Sequence, residues 1–301
     1  MSVAPTQSPE ITDLLRDRAA AGGGFADRAG GPYRPDATAW ACLALRAANP
    51  AEQPSVQGAR DRLAAGQLAD GRVALDAAHP QAAWPTALAA LAWIGAPEHR
   101  DPLARALDFL VRSSGERTRR ADDDTLAHDA RLEGWPWIEG TFSWVEPTAT
   151  ALMALRAARQ ATHPRADQAR RLLLDRQLPS GGWNYGNTLV FDREMEPTPD
   201  STGIALASLA GAVEPDAVRA SLDYLRRALD SLGTPLALGW TLIGLSAWGE
   251  RPADAEARIV ECIERQGRFG GYATSHLSIL PIARHSVDGA PIALAPMGGA
   301  A

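Results

Sequence analysis

The sequence predicts an all-α protein, an (α/α)6 toroid built from six outer–inner helical hairpins. Three observations lead there. An alanine-rich segment recurs: "DATAWACLAL" (36–45), "WPTALAALAW" (84–93), "EPTATALMAL" (146–155) and "DSTGIALASL" (200–209) align without gaps. "PLALGWTLIGL" (235–245) and "YATSHLSIL" (272–280) follow the same frame more loosely. A more polar segment with helical spacing precedes each copy, and linkers rich in glycine and aromatic residues join the two. Such self-similarity marks a repeat architecture, in which each unit buries its apolar surface against its neighbours.

The alanine-rich segments are the inner helices. Thr38, Thr86, Thr148 and Thr202 share one frame position, followed three residues later by Ala41, Ala89, Ala151 and Ala205. Three residues further on stand Ala44, Ala92, Ala154 and Ser208, with Gly244 in the fifth copy. Small residues at this spacing form a stripe along which a second helix approaches closely. Leu152 and Leu155, Leu206 and Leu209, and Leu242 and Leu245 occupy the adjoining positions. A helix apolar nearly all round has to be buried nearly all round.

The outer helices follow in chain order as "EITDLLRDRAA", "VQGARDRLAAGQ", "LARALDFLVRSS", "ADQARRLLLDRQ", "AVRASLDYLRRALDS" and "ADAEARIVECIERQ". Their Arg, Asp and Glu residues mark a solvent-facing side. A linear stack of six hairpins would expose two apolar ends, and neither terminal inner helix is polar enough to serve as a cap. Closure into a ring removes both ends. The toroid is assigned to residues 8–285 and a loose tail to 286–301.

The linkers carry a recurring device. In "RQLPSGGWNY", Gln177 ends an outer helix, Gly181 and Gly182 turn the chain, and Trp183 follows. "RQGRFGGY" repeats the spacing with Gln266, Gly270, Gly271 and Tyr272. Partial versions keep Gln67 and Gly71, or Gly23, Gly24 and Phe25. Glycine supplies the positive φ that terminates a helix. The glutamine amide can satisfy backbone groups left open at a neighbouring helix end, with the aromatic packed against it. The motif reads as a staple between successive hairpins.

Composition sets the outer bounds. Hydrophobic residues at 46 % and charged residues at 22 % supply a substantial core and argue against disorder. A net charge of −6 argues against nucleic acid as a partner. The basic run "ERTRR" beside "ADDD" reads as a solvated loop. Cys42 and Cys262 suggest a reducing compartment, with neither a disulfide framework nor a metal cluster. No secretory leader and no membrane-spanning run is visible. The expected location is the cytoplasm, in solution or at a membrane periphery.

Gln-x-x-x-Gly-Gly-aromatic, leading into an alanine-rich helix that starts near Asp-x-Thr, resembles the QW repeat. That repeat belongs to squalene–hopene cyclases and related terpenoid cyclases, with weaker versions in protein prenyltransferase β-subunits. The phrase "GWPWIEGTFSWVEPTA" is similar to bacterial prenyltransferase/squalene oxidase repeat proteins. The likeness spans roughly residues 10–285 and implies an α/α toroid around a cavity for an isoprenoid or other apolar molecule, with no cofactor. Squalene–hopene-type cyclases carry two such barrels and this chain has material for one. That difference keeps two non-enzymatic roles in view, a lipid-binding ring and a subunit closed by a protein partner.

Class II terpenoid cyclases protonate an alkene from an Asp-x-Asp-Asp-Thr motif at the start of an inner helix. In "EPTPDSTG", Asp200 falls on the donor position and Thr202 on the threonine, but Thr198 and Ser201 replace the other acids. Asp36 and Glu146 hold the same frame position in other repeats. A carboxylate at a helix start also suits capping and the helix dipole, so both readings of Asp200 stay open. "ADDDTL" (121–126) is a second near-match, read as a loop cluster. His276 matches one zinc ligand of the prenyltransferases, and its Asp and Cys partners are missing, so no metal is expected. Trp40 and Trp240 share a position near the starts of their inner helices. Trp135, Trp137, Phe142 and Trp144 crowd before the third. Aromatic faces stabilise carbocations and wall an apolar cavity, so these six, with His276, are the expected lining. A carbohydrate-active (α/α)6 enzyme, with two carboxylates across an aromatic groove, is a further alternative.

Overall fold

The computed structural model describes residues 11–48, 53–117, 128–190 and 193–287. The outer helices are α1 (Ile11–Arg16), α3 (Gln53–Ala65), α5 (Arg100–Arg112), α7 (Pro164–Asp175), α9 (Arg219–Ala228) and α11 (Ala255–Glu264). The inner helices are α2 (Pro35–Ala48), α4 (Pro85–Trp93), α6 (Val145–Ala157), α8 (Pro199–Leu209), α10 (Pro235–Ala247) and α13 (Thr274–Val287). A single turn, α12 (Gln266–Phe269), precedes the last inner helix. Strands β1 (Leu189–Val190) and β2 (Arg193–Glu194) pair antiparallel in the loop before α8.

Each inner helix packs against the next, and α13 packs against both α10 and α2, so the ring closes. The joint between first and last hairpins is sealed by polar contacts. Arg18 donates to the Tyr272 carbonyl at 2.7 Å and to Thr274 Oγ1 at 3.1 Å. Thr274 Oγ1 donates in turn to the Ala26 carbonyl at 2.6 Å. With no end left open, none of the inner helices needs a polar capping face.

The repeated threonine has a structural job. Thr38, Thr86, Thr148 and Thr202 are fully buried. Their hydroxyls accept the backbone N–H of Phe25, Val73, Trp135 and Trp183 at 2.8, 2.9, 3.0 and 2.9 Å. Thr202 also donates back to the Trp183 carbonyl at 3.2 Å. The linker is thereby locked to the first turn of the inner helix, with its buried polar groups satisfied. Glycine precedes the aromatic because the threonine fills that space: a Cβ on Gly134 would lie 2.3 Å from Thr148 Oγ1.

The aromatic then reaches back to the outer helix of its own hairpin. Trp135 Nε1 donates to the Leu110 carbonyl at 3.0 Å and Trp183 Nε1 to that of Leu173 at 2.6 Å. Tyr272 Oη donates to the Cys262 carbonyl at 2.8 Å. All three carbonyls lie in a last helical turn, where no amide within the helix is available to them. Two glutamines reach the next hairpin, one through backbone and one through a side chain: Gln67 Nε2 donates to the Pro102 carbonyl at 2.9 Å, and Gln177 Nε2 to Ser221 Oγ at 2.7 Å. Trp135 is thus the staple of the third hairpin, an assignment the missing glutamine conceals in the sequence.

Packing around the ring is uneven. Helices α8 and α10 approach backbone to backbone, so that a Cβ on Gly203 would sit 2.2 Å from the Trp240 carbonyl oxygen. Close approach of this kind needs glycine at the crossing. Between α4 and α6, by contrast, a cavity remains.

Candidate functional site

All six connections from outer to inner helix lie at the end of the ring where the inner helices begin. The frame position two residues before the threonine carries Asp36, Trp84, Glu146 and Asp200 on α2, the residue before α4, α6 and α8. Four residues on, along the same helical face, come Trp40, Leu88, Thr150 and Ile204.

Glu146 and Asp200 therefore meet on neighbouring inner helices. Neither carboxylate makes a hydrogen bond or ion pair with another described side chain. Glu146 keeps some accessible surface yet lies as deep as core groups, as expected of a side chain facing an internal space. Burial, and then the charge of Asp200, push its pKa up from 4.5 to about 7. A helix N-terminus favours the anion by about 0.3–1 kcal/mol, but desolvation outweighs it here. Glu146 is a carboxyl that keeps its proton close to neutral pH, the property a general acid requires.

The capping explanation of Asp200 fails in its simplest form. Thr198 is the N-cap of α8: its hydroxyl accepts from Ser201 N at 3.4 Å, and Pro199 opens the helix. Asp200 stands inside the first turn. Tyr224 Oη donates to the Pro197 carbonyl at 2.9 Å and fixes the chain entering that turn. Asp36 departs from its expected part. Both its oxygens accept from Arg34, at 2.9 and 2.8 Å, so its charge is already matched.

The aromatic residues divide into three groups. Trp40 and Trp240 meet edge to face, centroids 5.9 Å apart, across the ring interior. They are 7 % and 3 % exposed, so they fill interior space as well as bound it. Trp137 packs edge to face on Trp84 at 5.2 Å, and with Trp135 they wall a cavity of about 270 Å3 between the second and third hairpins. Phe142 and Trp144 border another cavity of about 260 Å3, on the other side of the α6 start, which also contains His128 and Arg176. Phe142 is 58 % exposed.

His276 is half-buried at the start of α13. Burial lowers its pKa, and its charged neighbours are Asp27 and Arg28 rather than the carboxylate pair. Among the described residues no three His, Cys, Asp or Glu side chains are grouped to hold a metal ion. The acidic run 121–126 lies outside the described residues. Trp84 was missed from the sequence, although its place two residues before Thr86 matches Asp36, Glu146 and Asp200. No helix among the described residues is long and apolar enough to cross a membrane.

No protein-family model matches the chain, and no curated protein matches it in sequence. Solved structures share its architecture. A variant of the type II terpene cyclase MstE from Scytonema, in complex with geranylgeranyl dihydroxybenzoate, aligns with a TM-score of 0.61 at 14 % identity. The alignment covers 95 % of this chain and 96 % of that one. The ent-copalyl diphosphate synthase from Streptomyces platensis aligns with a TM-score of 0.54 at 18 % identity, over 86 % of this chain and 50 % of that one. An α-amylase from Clostridium perfringens aligns with a TM-score of 0.58 at 10 % identity, over 92 % and 96 %. The chain has the α/α toroid of the terpene cyclases; at these identities the likeness is one of fold.

Proposed function

We propose that the protein takes an isoprenoid or similar apolar chain into the ring, at the end where the inner helices begin. Glu146 then delivers a proton to it and starts a cyclisation. The observation that carries this reading is the Glu146 carboxyl itself, half-buried at the start of α6, bonded by no described side chain, and held protonated to about pH 7 by desolvation and the charge of Asp200.

In the step proposed, the Glu146 proton passes to one carbon of an alkene whose π pair forms the new C–H bond. The other carbon becomes a tertiary cation, and a neighbouring double bond closes a ring onto it. A proton lost from carbon to water ends the sequence, and the Glu146 carboxylate recovers a proton from solvent. Desolvation, and then the charge of Asp200, raise the proton affinity of Glu146. A ring face of Trp40 or Trp240 turned to a nearby cation would stabilise it. MstE, a type II terpene cyclase nearly all of whose chain this ring matches, supports the idea that one ring is sufficient scaffold.

A second reading draws on the Trp40–Trp240 contact. By occupying the interior it favours a non-catalytic ring that binds a lipid or a protein partner elsewhere. The carbohydrate-active reading needs two carboxylates across an aromatic groove, and Glu146 and Asp200 are the pair it would use.

The test is product mass spectrometry after incubation with squalene and a panel of linear polyprenyl diphosphates, alongside Glu146→Gln and Asp200→Asn. A cyclised product that Glu146→Gln abolishes supports the acid assignment. Substrates returned unchanged by the wild-type protein favour the non-catalytic ring.

A further inference from the structure

The turns that carry Glu146 and Asp200 hang on one stretch of linker, Trp183 to Tyr185. The Val145 amide, next to Glu146, donates to the Tyr185 carbonyl at 3.0 Å. The Thr198 amide, two residues before Asp200, donates to the Trp183 carbonyl at 2.8 Å. Asn184 fixes the stretch itself: its Oδ1 accepts from the Gly186 and Asn187 amides at 2.9 and 3.1 Å, and its Nδ2 donates to the Asn187 carbonyl at 2.7 Å.

The Asp200 side of this frame has fewer backbone ties. Pro197 and Pro199 lack an N–H, so the Thr198 amide is the only backbone donor that 197–199 offers. A second tie comes from the next hairpin. Tyr224, half-buried on outer helix α9, donates from Oη to the Pro197 carbonyl at 2.9 Å. Its ring lies against the same turn: a Cβ on Gly182 would meet Pro197 Cβ at 2.7 Å, Thr202 Oγ1 at 3.0 Å and Tyr224 Cδ1 at 3.2 Å. Burial, and then the charges of Asp200 and Glu196, push the Tyr224 pKa up to about 12, so the hydroxyl remains a donor wherever the carboxylates titrate. A phenol donating to Asp200 would weaken the field of that carboxylate at Glu146. This one holds the backbone instead and leaves the charge unbonded.

We propose that Tyr224 is a positioning residue: its hydroxyl anchors the turn that presents Asp200 to Glu146, and thereby sets how strongly the two carboxylates are coupled. The inference rests on the acid pair proposed above. Few charges surround that pair. Asp200 is the charge that acts on Glu146, and no group of α5 or α7 adds to it. Helix α4, packed on the other side of α6, carries no titratable residue, and neither does α10, packed against α8. Glu196, in the loop before α8, is the other charge acting on Tyr224. Without the hydroxyl, 197–199 is held by one amide, and Asp200 draws back toward water, where its charge is screened.

NMR titration of the full chain carrying carboxyl-labelled glutamate tests it, with the Glu146 resonance assigned by its loss in Glu146→Gln. The wild-type midpoint is expected at about 7. Tyr224→Phe keeps the ring against Gly182 and removes one hydroxyl. It should lower the Glu146 midpoint by a few tenths of a pH unit, and no further than Asp200→Asn lowers it. With both changes together, Tyr224→Phe should move nothing more, because no charge is left to position. A tyrosine with a merely structural role would lower stability and leave the midpoint alone. The proposal is overturned if Tyr224→Phe leaves the Glu146 midpoint in place, or lowers it equally with and without Asp200. A wild-type midpoint near 4.5 would remove the acid pair and this inference with it. A midpoint near 7 that does not respond to Tyr224→Phe would remove only the part given to Tyr224.

Discussion

Replacing Glu146 by glutamine removes one titration and leaves a side chain of nearly the same size in place. In the folded protein the carboxyl keeps its proton to about pH 7, against an ordinary value of 4.5. Between those values the native state binds more protons than the unfolded chain, so wild-type stability falls as pH rises through the window. The contribution is complete below about pH 4.5 and is lost by about pH 7 to 8. Each tenfold change in proton affinity is about 1.4 kcal/mol, so the whole change comes to about 3 kcal/mol. Glutamine cannot titrate and escapes that loss. Urea unfolding of both proteins from pH 4.5 to 8 reads the difference directly, because other titrations cancel between them. Relative to wild type, Glu146→Gln should gain about 3 kcal/mol on going from pH 4.5 to 8, or roughly 5 °C in Tm. Parallel pH profiles for the two proteins would refute the claim that Glu146 is buried with its proton.

Asp200→Asn removes the charge that adds to the desolvation of Glu146, so the same pH-dependent loss of stability should centre at lower pH in that background; an unmoved centre would separate the two carboxylates. Thr202→Val leaves the Trp183 amide without its acceptor in a fully buried place. It should cost about 1–3 kcal/mol in urea unfolding and speed hydrogen exchange at Trp183. Gly203→Ala puts a Cβ 2.2 Å from the Trp240 carbonyl oxygen and should cost about 3 kcal/mol or more, with Tm as the readout.

Much of the ring could be read from the chain because its repeat is set by one small chemical device. Thr38, Thr86, Thr148 and Thr202 keep their places because each hydroxyl takes one particular linker amide. The alanines beside them keep neighbouring helices close. Where a copy lacks one component, reading by motif fails: Trp135 has no glutamine before it, and the motif places it with the cavity aromatics. The clue was spacing, since Trp135 precedes Thr148 by the same thirteen residues that separate Phe25 from Thr38 and Val73 from Thr86.

The candidate site was legible in position and not in chemistry. Alignment put Asp36, Glu146 and Asp200 at one level of the ring, and motif matching placed Asp200 on the donor position, whereas desolvation singles out Glu146. The ranking depends on partners from outside the repeat. Arg34 engages Asp36 two residues away, whereas no side chain among the described residues bonds the Glu146 carboxylate. Nor does any pattern along one helix reveal that Trp40 and Trp240 touch, because α13 lies between their helices around the ring and contact depends on reach across the interior.

The most direct measurement is product mass spectrometry of the wild-type reaction run in heavy water with squalene and geranylgeranyl substrates. Proton-initiated cyclisation at Glu146 predicts a cyclic product one mass unit heavier than in ordinary water, with the deuterium on the carbon that receives the first proton. It also predicts that this product is absent with Glu146→Gln. A cyclic product without deuterium, or one formed equally well by Glu146→Gln, would contradict the account.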